Sequence, residues 1–425
     1  SHAIRSLNQS PIESSISQGS TKLQTLFKVQ LPMAKSMVVL GINQTVMAAV
    51  SFVVIAALIG APGLGKPIIS ALIIRNVGQG FVAGFAVVFL AILLDRSTSA
   101  AAKKQVSFIP PSQKDLRRRR ILIGIGALIA IACAYLSRTF LWAAVWPEQF
   151  NVATQVENIT NSITKWILAN LEIFTEGFKN LISYGVLNPL ESLLAGSPWY
   201  VTVGFVVTLA FLVAGFRIAL LSLSLSLLIV LSGLWYESML TLTQTIVGTL
   251  LTMLVGMALG IWTGRNDRVE KFLRPFLDAG QTLPAFVYLV PMLGLFGPTR
   301  FTAIATGIVY SIPIVVKIVC EGIRSVPYSL VEAAMAAGST TKQIITKVQL
   351  PAAKRTILLA VNQGLIYVLA VVVIGGFVGS GGLGYLVIVG NSKPELQGKG
   401  LLAGACILLL GVIFDRIMQA SAKRS

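Results

Sequence analysis

Residues 60–67 come nearest to a catalytic pattern. They read GAPGLGKP, close to the motif GxxxxGK followed by Ser or Thr, which binds nucleotide phosphates. Pro67, however, replaces the hydroxyl that holds magnesium, and the stretch follows an apolar segment rather than a strand. A similar stretch near the C-terminus has Tyr385 in place of Lys66, and the sequence contains no other phosphate-binding pattern. We therefore predict that the chain has no catalytic residues, hydrolyses no ATP and is not an enzyme.

The usual metal ligands are scarce. His2 is the only histidine, and Cys133, Cys320 and Cys406 are isolated in apolar surroundings without CxxC spacing. This pattern supports neither a disulfide framework nor a zinc site, and it excludes histidine-dependent acid–base chemistry. We expect the chain to bind no metal and no cofactor.

Aromatic and amide side chains within apolar segments are better suited to binding than to catalysis. The rings of Phe286, Tyr288 and Tyr310 lie in or beside apolar segments and would line a pathway through a membrane. Alternatively, these rings pack a helix bundle or anchor it at the membrane interface. Polar residues that either face the pathway or bond neighbouring helices are Asn43, Gln44, Asn362 and Gln363.

The composition places these residues in a membrane. Of the 425 residues, 55% are hydrophobic and only 12% are charged, and the mean hydropathy is +0.80. A soluble domain carries about 25% charged residues, so an ordinary soluble enzyme is excluded. A helix crosses the bilayer with about 20 apolar residues, which predicts an all-α polytopic protein. We predict about ten spans, at 36–59, 80–94, 121–141, 199–216, 218–234, 239–263, 283–297, 301–320, 356–378 and 400–414, and a short partial or re-entrant helix at 66–79.

The distribution of charge predicts the topology. The formal net charge is +18, and the basic residues concentrate in the connections 95–120, 264–278 and 321–355. Because Lys and Arg accumulate on the cytoplasmic side, these connections and both termini are predicted to be cytoplasmic. The arginine run at 117–120 is then a stop-transfer anchor rather than a nucleic-acid patch.

The acidic stretch 142–198 falls on the outer side in this topology. Apolar residues recur along it at helical spacing, which is typical of a helix lying at the headgroup boundary rather than spanning the membrane. The stripe comprises Ile159, Ile163, Trp166, Ile167, Leu171, Phe174, Phe178 and Ile182.

An internal repeat organises the chain. Residues 4–35 align without gaps on 323–354, and the match continues from GAPGLG at 60–65 to GSGGLG at 379–384. The chain is therefore predicted to contain two copies of one transmembrane unit. Because the first copy lacks everything before the aligned loop and the chain begins with Ser1, we expect an N-terminally truncated fragment of a longer tandem protein.

The repeated loop has the local chemistry of a helical hairpin. Ser329 with Glu332 has capping-box spacing, and Ser10 with Glu13 repeats it, with Pro11 at the first helical position. An alanine-rich helix follows at 333–337. The loop is predicted to be a cytoplasmic helix–turn–helix between two spans. Glu332 either only caps a helix or belongs to a small-residue surface that a partner approaches closely.

In each copy of the repeated loop, the first helix is predicted to end at a glycine. Gly338 and Gly19 occupy the position where a helix C-cap needs a left-handed residue. Ser339 or Thr340 can then cap a second helix, which leads to Leu350-Pro351 at the start of the next span.

At these residues the chain resembles the permease subunits of type I ABC importers, whose signature is an EAA motif, a following Gly and then I-x-L-P. The matching residues are Glu332, Ala333, Ala334, Gly338, Leu350 and Pro351, with Val348 in place of Ile. The first copy keeps Glu13, Gly19, Leu31 and Pro32 but has Ser14 and Ser15 where alanine is usual. Residues 281–297, 27–45 and 90–96 look like glycine betaine/proline-type permeases, which import quaternary ammonium osmolytes.

The resemblance implies that the chain works with separate partner proteins. A cytosolic ATPase pair, which uses ATP and Mg²⁺, docks on the EAA loops, and an external binding protein or domain delivers the substrate. This chain would lie in the plasma (inner) membrane with no nucleic-acid partner. The implied domains are a first permease part at 1–96, a basic cytoplasmic linker at 97–120, an anchoring span with an external segment at 121–198, and a complete permease unit at 199–425.

Two other functions compete with this one. The chain can be an ABC permease for another small solute, such as an amino acid. An ion-coupled secondary transporter would need an ionisable residue in the middle of a span, but Arg217 and Glu237 fall at the ends of predicted spans. The sequence therefore disfavours ion coupling.

Overall fold

A computed structural model describes residues 9–58, 60–103, 113–140 and 151–424, and every regular element within these ranges is a helix. The helices of the first half are α1 Gln9–Ser17, α2 Lys22–Thr25, α3 Leu31–Leu58, α4 Gly65–Ile74, α5 Val77–Lys103, α6 Gln113–Thr139, α7 Ala153–Ile182, α8 Asn188–Leu194, α9 Trp199–Ala214 and α10 Phe216–Leu231. Those of the second half are α11 Trp235–Arg265, α12 Asp267–Thr282, α13 Ala285–Phe296, α14 Arg300–Arg324, α15 Tyr328–Ala336, α16 Thr341–Gln343, α17 Leu350–Ala352, α18 Lys354–Ile374, α19 Gly382–Ser392 and α20 Gln397–Arg424. The chain forms two compact units, Ser1–Val50 with Phe89–Ile159 and Ser51–Val88 with Thr160–Ser425.

Six helices of the described residues are long and apolar enough to cross a membrane. They are Val77–Thr98, Arg120–Thr139, Trp235–Arg265, Arg300–Arg324, Lys354–Val378 and Pro394–Ala422. Two further stretches pass the same test only if two consecutive helical segments are counted as one span. Each stretch is sharply bent: the angle between α7–α8 and α9 is 102°, and the angle between α12 and α13 is 99°. The predicted all-α polytopic class is confirmed, with six to eight candidate spans.

Among the described residues, two of the ten predicted spans are not among these candidates. The segment 218–234 is helix α10 of 16 residues, too short for an ordinary span. The segments 199–216 and 283–297 are the second arms of the two bent pairs, where Pro198 and Pro284 begin new helices. The segment 36–59 lies on α3, but Ile59 and several of its side chains are outside those described, so that span stays a prediction.

The short segment at 66–79 begins as predicted and ends earlier. Helix α4 ends at Ile74, and Arg75 follows it in the left-handed conformation with φ 59°. The preceding turn depends on Gly60 and Gly63, whose φ values are 83° and 135°. The GAPGLGK stretch therefore connects two helices, α3 and α4, which is not the strand–loop–helix context of a phosphate-binding loop.

Helix α6 in the first unit carries the arginine run at 117–120 directly into an apolar stretch. None of the span Arg120–Thr139 is buried within the structure, so its apolar side chains are available to lipid. This continuity is consistent with the predicted stop-transfer anchor.

The core of the second unit is formed by α11, α14 and α18, which pack on one another. Helix α11 approaches α14 closely through a Gly-x-x-x-Gly spacing. A Cβ atom built on Gly256 would lie 2.5 Å from Val315 Cγ1, and one built on Gly260 would lie 2.6 Å from Val319 Cβ. A larger residue at either position would push the two helices apart.

The predicted amphipathic segment forms helix α7. One of its faces packs through Asn161, whose Oδ1 accepts the Gly78 backbone N–H at 2.8 Å. Along the predicted stripe, Ile163, Trp166 and Phe174 are exposed, whereas Ile182 is buried. An exposed aliphatic and aromatic face suits the headgroup boundary, and this location stays a prediction.

Candidate functional site

The second EAA-like loop consists of α15, a tight turn, α16 and the π-helical turn Ile344–Gln349. Helix α15 ends in a Schellman motif: the Gly338 N–H donates to Met335 O at 2.9 Å and the Ser339 N–H to Ala334 O at 3.0 Å. Gly338 has φ 75°, so the predicted left-handed C-cap is confirmed. A side chain at this position would strain the backbone.

The second helix of this loop begins at a complete capping box. The Gln343 N–H donates to Thr340 Oγ1 at 3.4 Å, and the Thr340 N–H donates to Gln343 Oε1 at 2.7 Å. Of the two predicted caps, Ser339 and Thr340, the structure selects Thr340. The reciprocal bonds satisfy two backbone donors that a helix start leaves open.

The first EAA-like loop has the same backbone design. The Gly19 N–H donates to Ile16 O at 2.9 Å and the Ser20 N–H to Ser15 O at 3.1 Å, with Gly19 at φ 82°. Thr21 and Gln24 form the capping box, and the π-helical turn Leu26–Gln30 follows. Thr21 and Thr340 have the same backbone angles, φ −68° and ψ 159°. The aligned residues of the two loops thus make corresponding hydrogen bonds.

The predicted capping boxes at the first helix of each loop are wrong. Helix α15 begins at Tyr328 with Pro327 as its N-cap and no side-chain cap, so Ser329 lies inside the helix. Ser10 likewise lies inside α1, which is a helix from Gln9. Proline is already favoured at a helix start and fixes φ, so Pro327 sets the boundary that the Ser-x-x-Glu spacing misplaced.

The second loop is anchored to the ends of two long helices. Val326 and Ala353 are buried in one apolar cluster with Val319 and Ile323 of α14, and Leu350 packs against it. The Arg265 guanidinium at the end of α11 donates to Gln349 Oε1. The second loop is therefore in contact with the ends of both α11 and α14.

The outer face of each loop remains open. Glu332 and Ala333 are exposed and Ala334 is half-buried, and the exposed apolar neighbours of this patch are Tyr328, Leu330 and Met335. In the first loop Glu13 and Ser14 are exposed. At the start of the next helix, Leu350 and Leu31 are half-buried, whereas the prolines that follow them, Pro351 and Pro32, are exposed.

A cluster of three tyrosine rings lies in the second unit. The ring centroids of Tyr288 and Tyr310 are 5.7 Å apart with an interplanar angle of 63°. Those of Tyr310 and Tyr367 are 5.5 Å apart at 33°. Tyr367 was missed by the sequence analysis, although an aromatic residue in an apolar span was the available signal. The three residues come from α13, α14 and α18, and each is half-buried.

The other predicted pathway residues have different surroundings. Phe286 is 2% exposed and packs edge-on against Phe377 at 5.9 Å. Asn362 is buried, and its Nδ2 donates to Asp415 Oδ1 at 2.9 Å. Gln363 is half-buried, and the side chains of Asn43 and Gln44 lie outside those described.

Ionic contacts that the sequence analysis missed hold α12 to α14. Lys317 Nζ lies 2.5 Å from Asp278 Oδ1 and donates to Gln281 Oε1 at 2.6 Å. Arg324 Nη2 donates to Asp267 Oδ1 at 2.6 Å. These contacts line a cavity of about 320 Å³ next to the anchored loop. They fix the amphipathic helix α12 along the end of α14.

Metal-binding clusters are not found in the part of the chain that the structure describes, which contains no group of three His, Cys, Asp or Glu placed for a metal ion. Cys133, Cys320 and Cys406 are free thiols, and His2 lies outside the described residues.

The chain is similar to known proteins over the segments that contain these loops. Positions 1–105 and 256–425 match the family model described as binding-protein-dependent transport system inner membrane component. The chain is 30% identical over 420 residues to the trimethylamine N-oxide transport system permease protein TmoV of Pelagibacter ubique, covering 98% of this chain and 59% of that protein. It is 34% identical over 260 residues to the glycine betaine/proline betaine transport system permease protein ProW of Escherichia coli, covering 61% of this chain and 73% of that protein.

A solved structure of the MetNI methionine ABC transporter in inward-facing conformations aligns with a TM-score of 0.39 and 23% identity, covering 45% of this chain and 93% of that chain. The chain spans less than two thirds of the length of the TmoV relatives that it matches.

The family match covers both EAA-like loops and the α14–α18 core. It confirms that the chain is a multi-pass inner-membrane component of a transport system and not an enzyme. The chain belongs to the family of binding-protein-dependent transport system inner membrane components.

Proposed function

We propose that this chain is the permease of an ATP-driven importer for methylated ammonium osmolytes such as glycine betaine. A separate cytosolic ATPase, carrying ATP and Mg²⁺, docks on the loops at 4–35 and 323–354, and an external binding protein or domain delivers the solute. The chain itself supplies the membrane pathway and the coupling surfaces. Glycine betaine, proline betaine and trimethylamine N-oxide occur in the names of the similar proteins, which supports this solute class.

The observation that carries the proposal is the pair of matching loops. Each consists of a helix, a left-handed glycine, a Thr–Gln capping box and a π-helical turn that continues into the next helix. In the second loop, the exposed glutamate and alanines leave room for the close approach of a partner. Two docking loops of one backbone design suit a motor with two similar subunits.

The shared design also supports the proposed duplication. The regions 1–96 and 199–425 would then be two permease parts joined by the basic linker 97–120 and the anchored external segment 121–198. Both loops and both termini of the chain would be cytoplasmic, because the positively charged connections lie on that side.

The anchoring of the second loop gives the coupling its mechanical basis. Because Val326 and Ala353 are buried with α14, and Arg265 of α11 bonds Gln349, the loop cannot move without moving the ends of these helices. Both helices pack against α18, so a push on the loop changes the packing of the core.

Transport by the complete system in liposomes tests the proposal. The full-length permease, its ATPase and its receptor would be reconstituted, and uptake of radiolabelled glycine betaine, trimethylamine N-oxide, methionine and phosphate would be compared with and without ATP. We expect ATP-dependent uptake of the methylated amines alone. Uptake of methionine or phosphate without betaine would show that the proposed solute class is wrong. Uptake driven by an ion gradient without ATP would show that the proposed mechanism is wrong.

A further inference from the structure

Three tyrosines meet near the middle of the candidate spans. Tyr310 lies near the centre of Arg300–Arg324, and Tyr367 lies near the centre of Lys354–Val378. Tyr288 follows the 99° bend between α12 and α13. We propose that the Tyr288–Tyr310–Tyr367 cluster binds the methylated ammonium group of the solute during its passage through the permease. This inference rests on the proposed function and adds a binding site to it.

The spacing of the rings suits a cation that has no hydrogen-bond donor. Such a cation is attracted to aromatic faces when it lies within about 6 Å of a ring centroid. The centroids are 5.7 Å and 5.5 Å apart, so the rings contact one another, and a cation against the edge that Tyr310 shares with a neighbouring ring would lie within reach of both. All three side chains are half-buried and keep part of their surface accessible.

The end of a helix adds a second attraction for positive charge. The Tyr288 hydroxyl donates to the Gly280 carbonyl at 2.8 Å, which orients the ring at the last turn of α12. The carbonyl end of a helix carries a partial negative charge. Gly280 allows this close approach, because a Cβ atom there would lie only 2.9 Å from Pro313 and 3.4 Å from the Tyr288 hydroxyl.

The negative potential at this site is diffuse. The carboxylate of Asp278, two residues before Gly280, is paired with Lys317 at 2.5 Å. Ring faces and helix carbonyls attract a bulky, weakly hydrated ammonium, whereas a small inorganic cation would need oxygen ligands to replace its water. The cluster therefore favours methylated ammonium over metal cations.

A contrast within the chain argues against packing as the only role. Phe286 and Phe377 form a ring pair in which Phe286 is 2% exposed and no hydroxyl is present. The tyrosine cluster lies at the helix break, retains accessible surface and carries three hydroxyls. Such amphipathic rings suit a site where the solute passes and water enters.

The sharpest test changes the electrostatics of one ring and keeps its shape. In the complete reconstituted transporter, Tyr310 would be replaced by phenylalanine and by phenylalanines carrying one, two or three fluorine atoms. Fluorine withdraws charge from the ring face and weakens cation–π attraction. Receptor-dependent uptake of radiolabelled glycine betaine should fall stepwise, by about tenfold from Tyr310→Phe to the trifluoro ring. A flat series would overturn the inference.

A second set of variants separates binding from folding. Tyr367→Leu should lower betaine uptake by about tenfold, and Tyr367→Phe, which keeps the ring, should lower it less. Tyr184→Leu, at an exposed tyrosine in the π-helical turn Ser183–Leu187 that follows α7, is the matched control and should transport normally. Equal uptake by Tyr367→Leu and Tyr184→Leu at equal amounts of assembled transporter would also overturn the inference.

The two proposals fail in different ways. If the unmodified transporter takes up neither glycine betaine nor trimethylamine N-oxide, the proposed function is wrong. If it takes up betaine and the fluorinated series stays flat, only the tyrosine site is wrong.

Discussion

The two EAA-like loops have one backbone design and two kinds of interior contact. In the first loop, Ser15 Oγ lies 3.4 Å from Thr25 Oγ1, and Thr25 is 4% exposed. In the second, the aligned positions are Ala334 and Ile344, and Ile344 is 3% exposed. The same place in the hairpin thus holds a polar contact in the first loop and a buried apolar side chain in the second. The backbone conformation is therefore set by the glycine turn and the capping threonine rather than by the chemistry of the interior.

The outer faces differ more than the interiors. In the first loop, Leu23 of α2 and Phe27 of the π-helical turn are 67% and 64% exposed. The aligned residues of the second loop are Lys342 and Thr346. Exposed large apolar side chains mark a surface that a partner covers. The two loops therefore offer one backbone shape with different surface chemistry.

The largest expected effect comes from the left-handed glycine of the second loop. Gly338→Val places a β-branched side chain at φ 75°, which destroys the turn, whereas Gly338→Asn keeps a residue that tolerates this conformation. ATP-driven uptake should fall at least tenfold in Gly338→Val and much less in Gly338→Asn, with solute capture by the receptor unchanged.

Bulky replacement of Glu332 should uncouple transport in the same way if the exposed face meets the ATPase. Unchanged uptake in both Gly338→Val and Glu332→Trp would contradict the proposal that this loop couples the permease to the ATPase.

The next largest effect is expected when the buried side chains inside the two loops are truncated. Ile344→Ala leaves a cavity under a buried side chain and should cost about 2–4 kcal/mol of local stability, whereas Thr25→Ala loses one hydroxyl contact and should cost about 1 kcal/mol. Amide hydrogen exchange of the two loops measures this difference, with the exposed Thr346→Ala as control. Equal losses of local stability in Ile344→Ala and Thr25→Ala would contradict the distinction between a polar and an apolar interior in the two loops.

The anchoring of the second loop predicts a smaller effect. Arg265→Leu removes the donor to Gln349, which is 7% exposed, and an unsatisfied buried acceptor costs about 1–3 kcal/mol. Exchange of the amides at 344–353 should accelerate. Arg268→Leu, which changes an exposed arginine three residues later, should have no such effect. Acceleration by both variants would point to general loss of charge instead of loss of the anchor.

The smallest effect tests the equivalence of the two loops. Thr21→Ala and Thr340→Ala each remove a helix cap and should each cost about 1 kcal/mol. Ser329→Ala should cost less than about 0.5 kcal/mol, because Ser329 lies inside α15 and is not its N-cap. Exchange protection of the following turn is the measurement. A larger loss for Ser329→Ala than for Thr340→Ala would restore the Ser-x-x-Glu cap that the structure rejects.

Local signals were predictable wherever the cause lay within a few residues. Gly19 and Gly338 were assigned to left-handed caps because few other residues adopt that backbone, and Thr340 was one of two proposed caps. The start of α15 was misplaced because Pro327 competes with the Ser329 spacing, and two local signals cannot be ranked without the fold. The bent pairs were not foreseen for a similar reason, since an apolar run does not show where a helix bends.

The amino-acid sequence alone determined the class of the protein and the turn residues of both loops, because apolar content and glycine conformation act over short distances. Only the tertiary structure decided which residues meet across helices. It joined Tyr367 to Tyr288 and Tyr310, bonded Arg265 to Gln349 and paired Lys317 with Asp278. Such contacts depend on the rotation and crossing of whole helices, which many weak packing interactions set together.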